Sequence, residues 1–124
     1  MMKVSLNPLD KLFSQYIRMR AMSRVHGCER CGAWKADYKQ LQCAHLISRW
    51  HKSTRWDEDA AVGLCGGCHL WIDHEAEEKL ELLKSIIGED KVLLLKARAR
   101  TPARYLDKEA IRLYLMNQLE VING

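Results

Sequence analysis

Two short cysteine motifs, Cys28-Glu29-Arg30-Cys31 and Cys65-Gly66-Gly67-Cys68, decide how this chain can fold. In each motif the spacing lets both thiolates point at one ion, and together the two pairs complete a tetrahedral four-cysteine zinc site of the structural kind. The 33 residues between Cys31 and Cys65 exceed the length of a simple zinc ribbon. We therefore expect a bound Zn²⁺ and a folded segment inserted between the two motifs.

The composition indicates one soluble domain. The chain has 124 residues, of which 48% are hydrophobic and 29% charged, enough for a modest core. Its apolar runs fall far short of the roughly 20 residues that cross a bilayer, and its N-terminus lacks the apolar stretch of a secretory signal. A cytoplasmic chain keeps its thiols reduced, so the paired cysteines are interpreted as metal ligands. The fifth, Cys43, is expected to be a small buried apolar residue.

The charges are unevenly distributed along the chain. The formal net charge is +4, but residues 1–56 carry eleven Lys and Arg against three Asp and Glu, whereas residues 57–87 carry two against eight. A basic first half suits a nucleic-acid backbone, because cation–phosphate contacts supply affinity that does not depend on sequence. A solvated face of an ordinary domain would explain the same charges equally well.

Capping residues and apolar periodicity place the elements. Asn7-Pro8 predicts the start of a helix over 8–22, and residues 39–47 alternate as a strand does. A second short stretch should precede Cys65, followed by helices over 69–87, 89–99 and 107–120, the last capped by Asp107. We expect a single domain over 1–124, with a zinc-stapled core at 26–87 and a helical extension at 89–124 that serves packing.

Three residues beyond the cysteines have the chemistry of a hydrolytic site. His69 and Asp73 are four residues apart on a predicted helix, so both can reach one ion. His45 lies on the inserted segment. A neutral imidazole can remove a proton from water while a divalent cation neutralises the charge that develops on a phosphoryl group.

Three stretches of the sequence carry a family resemblance: Gln42-Cys43-Ala44-His45-Leu46-Ile47-Ser48-Arg49, Ser53-Thr54-Arg55-Trp56-Asp57-Glu58-Asp59 and Leu64-Cys65-Gly66-Gly67-Cys68-His69. Over about residues 8–74 the chain resembles the HNH (ββα-metal) nucleases, most of all the phage recombination nucleases of the NinG/Rap type and related prophage HNH proteins. The resemblance implies an α+β fold, in which a β-hairpin and a helix surround one catalytic metal and a four-cysteine zinc site holds the hairpin ends.

The resemblance also implies roles for individual residues. His45 corresponds to the general base, His69 to the metal ligand at the head of the helix, and Asp73 to a further ligand of a catalytic Mg²⁺ or Mn²⁺. The family's middle Asn falls at Ala60, where this chain departs from the pattern, and Asp59 or Asp57 could substitute. The position before the base, often a metal ligand in the family, is Ala44.

The first interpretation is therefore a metal-dependent HNH endonuclease of phage or prophage type, acting on duplex or branched DNA in recombination or DNA processing. It would work in the host cytoplasm, and a homodimer is compatible with it. The residues expected to contact DNA are Arg49, Lys52, Arg55, Trp56, Arg18, Arg20 and Arg24. Because of Ala44 and Ala60, an inactivated, zinc-dependent DNA-binding module is the alternative. A scaffold protein that uses zinc only for stability leaves His45, His69 and Asp73 unexplained.

Overall fold

The computed structural model describes residues 7–123, which form five α-helices and one two-stranded antiparallel sheet. The fold is mixed, as expected, and mostly helical. The elements are α1 (Pro8–Val25), β1 (Gln42–His45), β2 (Ala61–Leu64), α2 (Gly66–His74), α3 (Lys79–Ile87), α4 (Glu89–Ala99) and α5 (Lys108–Asn123). Short 3₁₀ turns lie at Tyr38–Gln40, Lys52–Thr54, Glu58–Ala60, Ala76–Glu78 and Ala103–Tyr105. Within residues 7–123 no helix has the length and apolarity to cross a membrane.

The first helix begins where its capping residues predict. The Asn7 side chain accepts a hydrogen bond of 2.9 Å from the Leu9 amide, and Pro8 occupies the first helical position. The helix continues to Val25, three residues beyond the predicted end, and stops at His26, which adopts a left-handed backbone with φ of 55°.

The sheet is shorter than the predicted strand. Lys39 and Gln40 belong to a 3₁₀ turn whose N-cap is Asp37, so the prediction of a strand at these two residues was wrong. The strand that remains pairs Gln42 with Leu64 and His45 with Ala61. The side chain of Asp37 accepts from the Lys39 amide at 2.9 Å, and this local bond favours the turn over an extended chain.

The two faces of the sheet pack against different helices. Because side chains alternate along a strand, Ala44 and Val62 share one face and pack in a cluster with Ile72 of α2. The other face carries His45 and Gly63 and lies against α1. His45 is therefore on the opposite side of the sheet from α2.

One long helix was predicted over 69–87, and the structure shows two helices instead. The first, α2, begins three residues earlier, because Cys65 serves as its N-cap, and it ends at His74. A 3₁₀ turn at Ala76–Glu78 separates it from α3. The predicted helices at 89–99 and 107–120 are confirmed, and Asp107 caps the last with a bond of 3.0 Å from the Ala110 amide.

Candidate functional site

The four paired cysteines converge on one point, as their spacing predicts. The sulfur atoms of Cys28, Cys31, Cys65 and Cys68 all lie within 4.8 Å of one another. A tetrahedral zinc site with bonds of about 2.3 Å places its sulfurs about 3.8 Å apart, and the Cys31 and Cys65 sulfurs are separated by 3.9 Å. The cluster therefore has the dimensions of a site that holds a metal ion such as zinc.

The loop around the first cysteine pair depends on a close backbone approach. The Cys28 amide donates to the Ala33 carbonyl at 3.1 Å, and Gly27 pairs with Trp34 as an isolated β-bridge. A Cβ on Gly27 would lie 1.9 Å from the Ala33 carbonyl oxygen, which no side chain tolerates. Glycine at this position allows the turn to close and both thiols to face the second pair.

Arg30 has a role that the sequence did not reveal. Its guanidinium lies 3.6 Å from the centre of the Trp71 ring and donates to the Cys68 sulfur at 3.3 Å. A cation beside a thiolate stabilises the charged ligand. Burial alone would raise the pKa of the Cys28 thiol, but backbone hydrogen bonds from Cys31, Cys65 and Arg30 lower it to about 7. The two effects favour the thiolate at Cys28 and beside Arg30, but burial and the neighbouring thiols outweigh Arg30 and raise the pKa of Cys68 to about 12.

A second site surrounds His45. A cavity of about 500 Å³ opens between α1 and β1, and three cationic side chains line it: Lys11, Arg18 and Arg49. His45 and Cys43 project into it from the strand, and the carboxylate of Asp10 lies at its edge. Burial raises the pKa of Cys43 to about 12 and keeps this thiol neutral. The cavity therefore combines one imidazole with a mainly positive wall.

His45 is oriented as a base. Its Nε2 atom lies 3.1 Å from the Arg55 carbonyl oxygen, which can only accept a hydrogen bond. Nε2 must then carry the proton, and Nδ1 of the neutral ring remains able to accept one. Burial is the main cause that lowers the pKa of His45 below its usual 6.5. The ring is half-buried and lies 5.6 Å from that of Phe13.

The predicted catalytic metal ligands come together only in part. His69 Nε2 lies 3.8 Å from Asp73 Oδ2, and His69 Nδ1 lies 2.6 Å from Gln42 Oε1. Asp59 is held instead by Arg98 at 3.1 Å, and Asp57 by the same guanidinium at 2.6 Å. Among residues 7–123 the four-cysteine cluster is the one group that gathers three or more potential ligands. His45, on the other face of the sheet, does not join His69 and Asp73.

Ala60, at the position of the family Asn, takes part in a backbone brace. It is fully buried, and its carbonyl accepts hydrogen bonds from the amides of Leu46 at 2.8 Å and Ile47 at 3.4 Å. These bonds tie the segment after His45 to the segment before β2 without any side chain. The neighbour of His45, Ala44, is buried on the α2 face and offers no ligand atom.

The residues expected to contact DNA fall into two groups. Arg20 and Trp56 are 6% and 8% exposed. Arg20 donates to the Glu58 and Ala61 carbonyls at 2.7 and 2.8 Å, and Trp56 donates to Asp10 at 2.9 Å. These two therefore stabilise the interior, and we remove them from the set. Partners of this kind are distant in sequence, so no local pattern reveals them.

Of the remaining predicted contacts, Arg18 lines the cavity around His45, and Arg55 is held by Asp10 with 25% of its side chain exposed. The other three are exposed. Arg24 pairs with Glu29 at 3.3 Å, and Arg49 pairs weakly with Asp10 at 3.5 Å while 45% of its side chain remains exposed. Lys52 is exposed. Sequence reasoning missed Trp50, which is 90% exposed directly beside Arg49. The exposure of this ring beside a cation is visible in the structure but cannot be derived from the composition.

The chain matches no family model, no curated protein and no solved structure in the comparisons made with them.

Proposed function

We propose that this protein is a metal-dependent DNA endonuclease of the HNH type, with His45 as its general base. One observation carries the proposal: His45 lies in a cavity walled by Lys11, Arg18 and Arg49. Two further features support the relationship to phage recombination nucleases that the sequence resemblance implies. The elements follow one another in the order β1, β2, α2, and the two cysteine pairs of the cluster lie at the ends of this unit.

The chain's own groups suit hydrolysis of a phosphodiester. Arg18 and Arg49 would hold the phosphate by charge-assisted hydrogen bonds. His45 would take a proton at Nδ1 from a water molecule, since Nε2 is fixed by the Arg55 carbonyl. The brace between Leu46 and Ala60 holds the base in position, which matters because small displacements of a catalytic group are costly.

A divalent cation fits the remaining residues loosely. His69 and Asp73 provide two ligand atoms 3.8 Å apart, and Mg²⁺ is commonly bound by one or two carboxylates while it keeps several waters. An ion held there would supply electrostatic stabilisation of negative charge. The pair lies on the opposite face of the sheet from His45, so the described residues do not place such an ion at the phosphate that His45 faces, and no step of the hydrolysis is assigned to it.

The test is cleavage of supercoiled plasmid and of a four-way junction with Mg²⁺, Mn²⁺ or EDTA. The wild-type protein should cleave with metal and stop with EDTA, and His45→Ala should lower the rate by about 100-fold or more. His26→Asn is the control, because His26 is exposed and Asn tolerates its left-handed backbone. Cleavage that survives His45→Ala would overturn the assignment of the base.

A second candidate is a zinc-dependent DNA-binding module without catalysis. It is favoured by Ala44 and Ala60 and by the separation of His45 from the His69–Asp73 pair. Ala60→Asn distinguishes the two candidates, since a side chain that fixes the base-bearing loop should raise the rate by orders of magnitude. Ala60 is 0% exposed, so a melt must first show that the variant folds. A folded variant that binds DNA but stays inert with both metals would establish the module.

A further inference from the structure

We propose that a second basic pocket, formed between the segments 52–56 and 103–108, binds a backbone phosphate of DNA next to the one that His45 faces. This inference rests on the proposed function and extends it to the C-terminal part of the chain. The sequence indicated only a packing role for that part.

The pocket has a volume of about 370 Å³. Its walls come from the residue that precedes α1, the 3₁₀ turn Lys52–Thr54 with the two residues after it, and the segment that leads into α5. Four cationic side chains line it: Lys52, Arg55, Arg104 and Lys108. Among the described residues that line the pocket none is acidic, so positive charge from two separate segments is concentrated around one opening.

The floor of the pocket is the Trp56 ring. The Arg55 guanidinium lies 5.3 Å from the ring centre and the Lys108 ammonium 5.8 Å from it. Cation–π contacts hold these two charges near each other without neutralising them. Arg55 is also paired with Asp10, at 2.9 Å from its Nε, so Asp10 offsets one of the four charges. An anion in the pocket would relieve the repulsion among the others.

The second pocket lies beside the cavity around His45. Asp10 lines the His45 cavity and its partner Arg55 lines the second pocket, so one ion pair separates the two. The Arg55 carbonyl also orients His45. A DNA strand with one phosphate between Arg18 and Arg49 could therefore place a neighbouring phosphate against Arg104 and Lys108. A polyanion fits this pair of basic sites better than a single small anion does.

The experiment compares Arg104→Gln/Lys108→Gln with Lys79→Gln/Lys84→Gln. Both variants lose two positive charges, but the control pair lies on α3, within the acidic part of the chain. Affinity for a fluorescein-labelled duplex is measured as a function of salt. The pocket variant should bind about 5- to 10-fold more weakly than the control near 0.1 M salt. Its log–log salt slope should be shallower by roughly 0.9, for one lost phosphate contact.

A phosphate titration followed by the indole N–H resonance of Trp56 separates the possible failures. If the wild-type protein binds duplex and the two variants bind equally well, the pocket assignment is wrong and the proposed function stands. If the wild-type protein binds no DNA but phosphate, at constant ionic strength, shifts the Trp56 signal, the pocket is an anion site and the proposed function fails. If neither response occurs, or only RNA binding depends on Arg104 and Lys108, the inference is overturned.

Discussion

At the scale of single residues, His45 shows how an environment sets a protonation state. The ring is enclosed by Phe13 and the strand, and this burial disfavours the imidazolium and lowers its pKa. The positive charges of Arg49 and Arg55 act in the same direction, whereas the hydrogen bond to the Arg55 carbonyl and the charge of Asp10 act against them. The outcome is a neutral imidazole at neutral pH, which is the form that a general base requires.

The pH dependence of cleavage follows from this shift. A base whose pKa lies below 6.5 is already deprotonated at neutral pH, so the rate should rise with pH on the acidic side and level off before pH 7. Initial rates measured between about pH 5 and about pH 8 test this. A rate that keeps increasing through the alkaline range would assign the base to a different group.

Asp10 organises the residues around the cleft, the cavity between α1 and β1 that contains His45. Its carboxylate accepts from Arg55 Nε and from Trp56 Nε1, each at 2.9 Å, and 9% of the side chain is exposed. Burial favours the neutral acid, but these hydrogen bonds and the charges of Arg55 and Arg49 outweigh it and lower the pKa of Asp10. The ionised form of Asp10 is therefore more stable in the folded chain than in the unfolded chain.

Asp10→Asn should lower the free energy of unfolding by about 1–3 kcal/mol at neutral pH, since it removes charged hydrogen bonds from a nearly buried group. The pKa of Asp10 lies below 3.8 in the folded chain, so the extra free energy of unfolding of wild type over Asp10→Asn is fully present above that pH. It should be lost as the pH falls below 3.8 and through the folded-state pKa. Urea unfolding at about pH 7 and about pH 3 measures both effects. Asp90→Asn, at an exposed position, is the control. A difference between Asp10→Asn and wild type that is independent of pH would contradict the argument.

At the scale of elements, the small sheet depends on its two helical neighbours. An isolated two-stranded sheet is marginally stable in water, and here α1 covers one face and α2 the other. On the α1 side the approach is close, because a Cβ on Gly63 would lie 2.6 Å from the Cβ of Ala21. The contact between α1 and β2 therefore requires glycine.

Gly63→Ala should destabilise the protein by about 1–3 kcal/mol, since the added methyl group must displace α1 from the sheet. Gly67→Ala is the matched control. Nothing lies within 4 Å of a Cβ at that position, and alanine is the better residue within a helix. Thermal melts of the two variants should move in opposite directions. Equal melting temperatures would show that α1 does not pack on the sheet as described.

The sequence predicted the elements whose determinants are local. The cysteine spacing and the caps at Asn7 and Asp107 are patterns that span four residues or fewer. The convergence of the four cysteines and both caps were confirmed. The break between α2 and α3 was not predicted, because the polar stretch 73–79 between them contains no glycine or proline. The burial of Arg20 and Trp56 depends on partners more than 40 residues away in sequence, so neither the charge of Arg20 nor the basic neighbours of Trp56 indicated it.

At the scale of the whole molecule, the four-cysteine cluster joins parts of the chain that otherwise share a limited core. Cys28 and Cys68 are buried in the same hydrophobic cluster as residues of the sheet and of α2 to α4. A second cluster joins α1, Trp56 and α5. A metal ion at the cysteines would therefore stabilise the first cluster directly.

Purified protein should contain about one Zn²⁺ per chain, and chelation should remove the cooperative thermal transition, because zinc binding in such small domains supplies much of the folding free energy. Elemental analysis gives the stoichiometry and a melt with and without chelator gives the effect. Cys31→Ser should behave as the chelated protein does. A metal-free protein with an unchanged melt would show that the cluster does not hold a structural metal ion.

Both candidate functions require that the cleft around His45 bind DNA through its cations. The most direct measurement is the affinity for duplex DNA as a function of salt, for the wild-type protein, Arg18→Gln/Arg49→Gln, and the control Lys79→Gln/Lys84→Gln. We expect wild type and control to lose affinity steeply with salt, and the cleft variant to bind more weakly with a slope shallower by roughly 0.9. Wild-type binding that is absent or indifferent to salt, or a cleft variant that matches the control, would contradict the account.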